Sequence, residues 1–183
     1  MFRLLALLMT LATGVFSMPA DAAALDPENT LYLDLPAGRV VIEMRPDLAP
    51  HTVARIKELV RQHFYDGLAF HRVIPDFMAQ TGDPTGTGMG GSGQKLKAEF
   101  SDAHHVRGTV SMARAASPDS ADSQFFICLA AAPWLDGQYT IWGQVVSGMD
   151  YVDQIKQGSA ANNGTVSDPT RIVRMQVAAD VKG

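Results

Sequence analysis

From Thr30 onward, apolar and polar residues alternate along much of the chain. Leu31, Leu33 and Leu35 are separated by Tyr32 and Asp34; after Ala37-Gly38, Val40, Ile42 and Met44 are separated by Val41 and Glu43. A two-residue period places each set on one face of a strand, so this stretch predicts a β-hairpin. The period then changes. Pro46 and Pro50 punctuate the chain, and Val53, Ile56, Leu59, Val60 and Phe64 recur at helical spacing with charges between them. That pattern predicts one amphipathic helix with Pro50 near its first turn. Strand patterns return over 109–112, 124–129 and 140–146, and Met149, Val152 and Ile155 predict a second, short helix. Near the end Val173, Met175 and Val177 alternate with Arg174 and Gln176. Many short strands with only two helices point to a β-barrel or sandwich rather than a parallel α/β sheet. No internal repeat or linker divides the chain.

One stretch does not fit a simple core pattern: Phe70-His71-Arg72-Val73-Ile74-Pro75-Asp76-Phe77-Met78-Ala79-Gln80-Thr81-Gly82-Asp83. Strand-forming residues surround an arginine, a histidine and a glutamine, and Pro75-Asp76 supplies a turn. Alternation sets Phe70, Arg72 and Ile74 on one face, and Met78 with Gln80 on one face of the return strand. The register between the two strands is not given by the sequence. If the faces coincide, a guanidinium stands beside an apolar floor with a side-chain amide at its edge, which suits an apolar group flanked by peptide bonds. A second stretch, Ser123-Gln124-Phe125-Phe126-Ile127-Cys128, puts Phe126 on the same face as Gln124. Taken alone, Phe126 reads as ordinary core; the two stretches together favour a pocket rim. Trp134-Leu135-Asp136-Gly137 adds a tryptophan in a turn.

Composition narrows the partners. The 183 residues favour one domain, and a net charge of −4 without any lysine or arginine run argues against nucleic acid. Arg3, the mostly apolar run 4–16 and the small residues of Pro19-Ala20-Asp21-Ala22-Ala23-Ala24 form the pattern of a cleaved secretory signal. A membrane anchor needs about 20 apolar residues, and this run is broken by Thr10, Thr13 and Gly14. Residues 1–24 are therefore expected to be removed, leaving 25–183 as an exported domain with no membrane association. The single cysteine, Cys128, lies in an apolar run and reads as a buried hydrophobe.

Other motifs carry less. Gly86, Gly88 and Gly91 spell a literal G-x-G-x-x-G, but more glycine and then Gln94-Lys95-Leu96-Lys97 follow, not a core-facing helix start. The expected role is a flexible surface loop beside a groove. His51, His63, His71, His104 and His105 match no metal-binding spacing, and no serine has the setting of a nucleophile. Asn163-Gly164-Thr165 is a glycosylation sequon, a pattern short enough to arise by chance. Neither metal nor cofactor is expected.

In order, F-H-R-V-I-P-D-F-M-A-Q-T-G-D, T-G-M-G-G, S-M-A-R-A, S-Q-F-F-I-C and W-L-D-G resemble the cyclophilin-type peptidyl-prolyl cis-trans isomerases, and the signal and the M-A-R form resemble their bacterial periplasmic branch. The resemblance implies a mainly β fold: a closed eight-stranded antiparallel β-barrel capped by two α-helices. It places the catalytic arginine on Arg72 and the proline pocket on Phe77, Met78, Phe126 and Leu135. Substrate-backbone contacts fall on Gln80, Ala113, Arg114 and Gln124, while His71, Ala115, Trp134 and Tyr139 complete the groove. Implied partners are proline-containing exported polypeptides, with cyclosporin as an inhibitor suggested by Trp134, and a monomer is expected. Asp76, Arg114 and Tyr139 depart from residues common in the family (glycine, asparagine and histidine). A module that only holds proline-containing segments is the rival reading; it needs the apolar floor but not Arg72 and Gln80.

Overall fold

The computed structural model describes residues 24–181, so the expected signal segment lies outside the described residues except for Ala24. Eight strands and two α-helices follow one another as β1 (Thr30–Leu35), β2 (Gly38–Met44), α1 (Pro50–Arg61), β3 (Arg72–Ile74), β4 (Met78–Thr81), β5 (Thr109–Met112), β6 (Phe125–Cys128), β7 (Ile141–Ser147), α2 (Met149–Asp153) and β8 (Arg174–Val177). They form one sheet in the order β3-β4-β6-β5-β7-β2-β1-β8, with every neighbouring pair antiparallel. The ladder does not run on from β8 to β3. Between these ends stand isolated bridges, Ala69 to Arg171 and Arg72 to Thr165, and single backbone bonds such as Phe70 N to Thr170 O at 2.9 Å. The sheet is curled with its ends tied by these contacts; a continuously closed barrel is not what the pairing records.

The first hairpin has the register its alternation demands. Leu31 faces Ile42 and Leu33 faces Val40, all four fully buried. The same inner face collects Val73, Ala79, Val110, Phe125, Ile127, Trp142, Met175 and Val177. At its centre Phe125 meets Trp142 edge-on at 5.4 Å and Tyr65 at 5.5 Å, the geometry aromatic quadrupoles favour. Val173 departs from the expected alternation: it precedes β8 and is exposed.

Helix α1 buries Thr52, Val53, Ile56, Leu59 and Val60 and packs against β8. Its Ala49 N-cap offers no side-chain acceptor. Glu99, far along the chain, accepts instead from the His51 and Thr52 amides at 3.0 and 2.8 Å and from Thr52 Oγ1 at 2.7 Å. A carboxylate there satisfies orphan N–H groups at the positive end of the helix dipole. Phe64, expected within the helix, lies in the turns after it and packs on the core half-buried.

Candidate active site

Strand register brings the two informative stretches together. Arg72 on β3 faces Gln80 on β4, Gln80 faces Phe126 on β6, and Phe126 faces Ser111 on β5. Directly paired residues share a face, so Arg72, Gln80, Phe126 and Ser111 make one row across four strands on the face opposite the main core. The next row is Ile74, Met78 and Cys128. The faces of Arg72 and Gln80 therefore coincide. Phe70 does not join them: β3 begins only at Arg72, and Phe70 turns into the main core. The turn between β3 and β4 closes with Phe77 N bonded to Ile74 O at 3.2 Å, and Asp76 takes a positive φ of 56°. A glycine would reach that conformation without cost, and aspartate is among the side chains that tolerate it.

The polar half of the site is a chain of amides. Arg72 Nη1 donates to Gln80 Oε1 at 3.0 Å, Nε to the Asn163 carbonyl at 3.0 Å and Nη2 to Asn163 Oδ1 at 2.8 Å. Gln80 Nε2 donates to Gln124 Oε1 at 2.9 Å, and Gln124 Nε2 donates to the Gly88 and Gly90 carbonyls at 2.9 and 2.8 Å. Three of the five guanidinium N–H donors are thus used, leaving one on each terminal nitrogen. No carboxylate pairs with Arg72 among the described residues. Burial lowers its pKa against a smaller opposing pull from Tyr139, but a guanidinium stays charged in water at any working pH.

The apolar half is a small cluster of its own: Met78, Phe126, Cys128, Ala132 and Leu135 are buried, with Ile74, Phe77, Ala113 and Tyr139 packed on it. Between the halves opens a cavity of about 450 Å³, lined by Arg72, Gln80, Phe77, Met78, Phe126, Leu135, Ala113, Arg114, Tyr139 and His71, with Gly86–Met89 and Asn163 at its margin. His71 is buried, and neither ring nitrogen has a hydrogen-bond partner among the described residues. Burial pushes its pKa down. This arrangement can seat a compact apolar ring while a charged donor faces its edge.

The family model for the cyclophilin type peptidyl-prolyl cis-trans isomerases matches residues 30–177. A Brucella suis protein named "Probable peptidyl-prolyl cis-trans isomerase" is 54% identical over 173 residues, 88% of each chain. A peptidyl-prolyl cis-trans isomerase of Schizosaccharomyces pombe is 44% identical over 142 residues, 75% of this chain and 91% of its own. The chain belongs to the cyclophilin-type peptidyl-prolyl cis-trans isomerases. Solved cyclophilins share its fold. One from Hirschia baltica has a TM-score of 0.77 at 26% identity, covering 86% of this chain and 77% of its own. One from Cryptosporidium parvum, solved in the presence of the dipeptide Ala-Pro, has a TM-score of 0.74 at 27% identity, covering 81% and 98%.

In this cyclophilin the remaining expected residues lie around the cavity rather than in it. Gln124 and Ala115 line an adjoining cleft together with Lys95, Ser120 and Asp122, and Gln80, Ala113 and Arg114 border both spaces. Trp134 is 58% exposed, its ring 5.6 Å from Phe77. Arg114 lies over the Tyr139 ring at 4.6 Å and donates to the Gln138, Ala115 and Ala116 carbonyls. Tyr139 meets Phe126 edge-on at 6.0 Å and walls the cavity.

Three features of the cyclophilin site escaped the sequence reading. Asn163, singled out only as a sequon, holds the guanidinium at two points from a left-handed backbone conformation (φ 59°). The glycine loop is anchored rather than loose, a correction to the flexible-loop expectation. Buried Asp83 accepts from the Thr85, Thr87 and Gly88 amides at 2.7, 3.0 and 2.6 Å, and Asp122 accepts from the Ser92 amide at 2.6 Å. Burial alone would raise the Asp83 pKa; the hydrogen bonds from the loop overcome it and hold the carboxyl at about 2. The signal for this was the Asp83-Pro84-Thr85 sequence at the loop entrance, where an aspartate can bond backbone two residues on. Third, His105 and Asp136 stand behind Phe126.

Proposed function

We propose that this cyclophilin turns over X-Pro bonds with Arg72 as its catalytic residue, in polypeptides exported to the bacterial periplasm. The observation that carries the catalytic part is a guanidinium fixed by neutral acceptors, without a carboxylate partner and with donors to spare, at the edge of an apolar cavity. Rotation about a peptide bond faces a barrier of ~18–20 kcal/mol because resonance gives C–N double-bond character. X-Pro isomers are close in energy yet exchange over roughly tens to hundreds of seconds. In the twisted state the prolyl nitrogen regains a lone pair, which can accept a hydrogen bond from Arg72. That bond barely exists with the planar amide, so it acts on the transition state differentially.

Phe126, Met78, Leu135 and Phe77 seat the prolyl ring in this reading, and Gln80, Gln124, Arg114 and the Ala113–Ala115 segment hold the flanking backbone. Such a bond is worth ~1.5–3 kcal/mol, about one to two decades in rate. Fixing the ring and the flanking carbonyl supplies the rest. The Ala-Pro dipeptide present with the Cryptosporidium relative is the same chemistry. Export rests on the Arg3 start, the apolar run and the small-residue spacing before Leu25. The exposed Trp134 supports cyclosporin as a ligand, the bridges Ala69–Arg171 and Arg72–Thr165 support a barrel closed by isolated contacts rather than by a continuous ladder, and a monomer suffices for the site.

The test is isomerisation of a short X-Pro peptide by the mature protein and by Arg72→Ala, with peptide binding measured alongside. Catalysis that collapses in a variant still binding peptide supports the enzyme; binding without catalysis by the folded wild type would favour the holding module. Fusion of residues 1–24 to a reporter active only after export tests the compartment, and a reporter left inside the cell would overturn it.

A further inference from the structure

Behind the wall of the cavity lies a chain of polar groups, buried at Ser111 and His105 and reaching the surface at Asp136, that none of the roles above uses. His105 is 1% exposed, in the segment leading into β5. Its Nδ1 lies 2.9 Å from Asp136 Oδ1, its backbone amide donates to the same oxygen at 2.7 Å, and its Nε2 lies 3.1 Å from Ser111 Oγ. Asp136 also meets His104 Nδ1 at 2.8 Å. The amide and ring of His105, with His104, hold the Asp136 carboxyl at about 2, so it can only accept and Nδ1 carries the proton. Ser111 Oγ lies 2.9 Å from the Thr140 carbonyl as well, so its single proton is shared between that oxygen and Nε2.

The order serine, imidazole, carboxylate is that of a nucleophile with its base. Ser111 is fully buried between β6 and β7, however, and no substrate carbonyl could reach it. The work of the chain is mechanical. The His105 ring stacks on Phe126 with a centroid distance of 6.2 Å and an interplanar angle of 17°, and it meets Tyr139 edge-on at 6.5 Å. Its carbonyl accepts from the Ala132 amide at 2.8 Å, at the start of the turn that carries Trp134 and Leu135. Ser111 is the β5 partner of Phe126. His105 thereby ties three walls of the cavity together, its ring meeting the β6 aromatic and the Tyr139 loop and its backbone carbonyl holding the Trp134–Leu135 turn.

We propose that His105 is a positioning residue for the prolyl pocket, locking the plane of Phe126 against the Leu135 wall through the Ser111–His105–Asp136 chain. The proposal rests on the reading that Phe126 lines that pocket. A hydrogen-bonded ring has one orientation, whereas an unbonded one can rotate and let Phe126 follow. Loss of the two ring bonds should therefore weaken seating of the prolyl ring while leaving Arg72 and its clamps in place.

The experiment compares His105→Phe, which keeps the stack and loses the bonds, with wild type in KM and kcat for an X-Pro peptide, thermal unfolding serving as the fold control. Asp136→Asn, which leaves the ring and removes the charged acceptor, is measured in parallel, as is Phe126→Ala. His105→Phe is expected to raise KM by about threefold to tenfold with kcat within about twofold, the range one or two modest hydrogen bonds provide. Asp136→Asn should move KM in the same direction by less. Folded His105→Phe and Asp136→Asn proteins with wild-type KM, or a loss confined to kcat, overturn the proposal. If His105→Phe fails to fold, the KM of Asp136→Asn decides by the same criterion. Unchanged KM in Phe126→Ala would instead remove the pocket reading itself.

Discussion

Replacing Arg72 by alanine tests the site at its centre. The guanidinium makes three hydrogen bonds to neutral acceptors and no ion pair, so its removal strands no buried charge. Gln80 remains held by Gln124, and Gln124 by the glycine loop. The cost to the fold is accordingly expected at ~1–2 kcal/mol, a Tm fall of about 2–8 °C for a domain of this size. Catalysis should suffer more. One charge-assisted bond made only to the twisted amide is worth ~1.5–3 kcal/mol, which lowers kcat/KM roughly tenfold to a hundredfold or slightly more. Arg72→Lys should recover little of this. An ammonium retains the charge but cannot engage Gln80 and Asn163 together while still aiming a donor into the cavity. The assay is relaxation of an X-Pro peptide to its new cis/trans equilibrium after a solvent jump, with circular dichroism to confirm the fold. A folded Arg72→Ala protein with wild-type kcat/KM would remove the arginine from the mechanism.

Other expectations follow from the walls and the loop. Phe126→Ala should weaken peptide binding by about tenfold or more, given the ~1.5–3 kcal/mol that burying an aromatic or aliphatic side chain contributes; titration with an X-Pro peptide at unchanged affinity would return Phe126 to a passive packing role. Asp83 has a folded pKa of about 2 against about 3.9 in an unfolded chain. Its contribution of ~2–3 kcal/mol is therefore complete above pH 4 and is lost as pH falls toward 2. Asp83→Asn should be less stable at pH 7 and show a shallower acid limb in urea midpoints measured from pH 5 to 2; an unchanged limb counts against the loop anchor. The Cys128 thiol is buried and its pKa is pushed up to about 12, with burial as the main cause. It should resist a thiol reagent at pH 8 until the protein is unfolded, and rapid labelling of the native protein would contradict its placement.

The strands and helices were legible because their signals are local. A period of two identified the β1–β2 hairpin and the buried face of each strand, and a period near 3.6 identified the buried face of α1. The same reasoning failed where a strand ended sooner than its composition suggested: Phe70 and Val173 both precede their strands and leave the faces assigned to them. Alternation describes only the residues that the ladder actually holds.

The chemical inventory of the site was also written in the chain, as an arginine and two glutamines placed among strand-forming apolar residues. Motif order was enough to assign them to a family. What tertiary structure alone decided was their juxtaposition. Arg72, Gln80, Phe126 and Ser111 come from four strands spread over 55 positions, and only the β3-β4-β6-β5 order lines them up in one row. Asn163 reaches Arg72 across 91 residues, Glu99 caps α1 across 47, and Asp136 reaches His105 across 31. Periodicity reports which face a residue prefers, because burial acts on each residue through its own strand or helix. Which distant polar group will satisfy a given donor depends on where the sheet folds back on itself, and no local pattern carries that information.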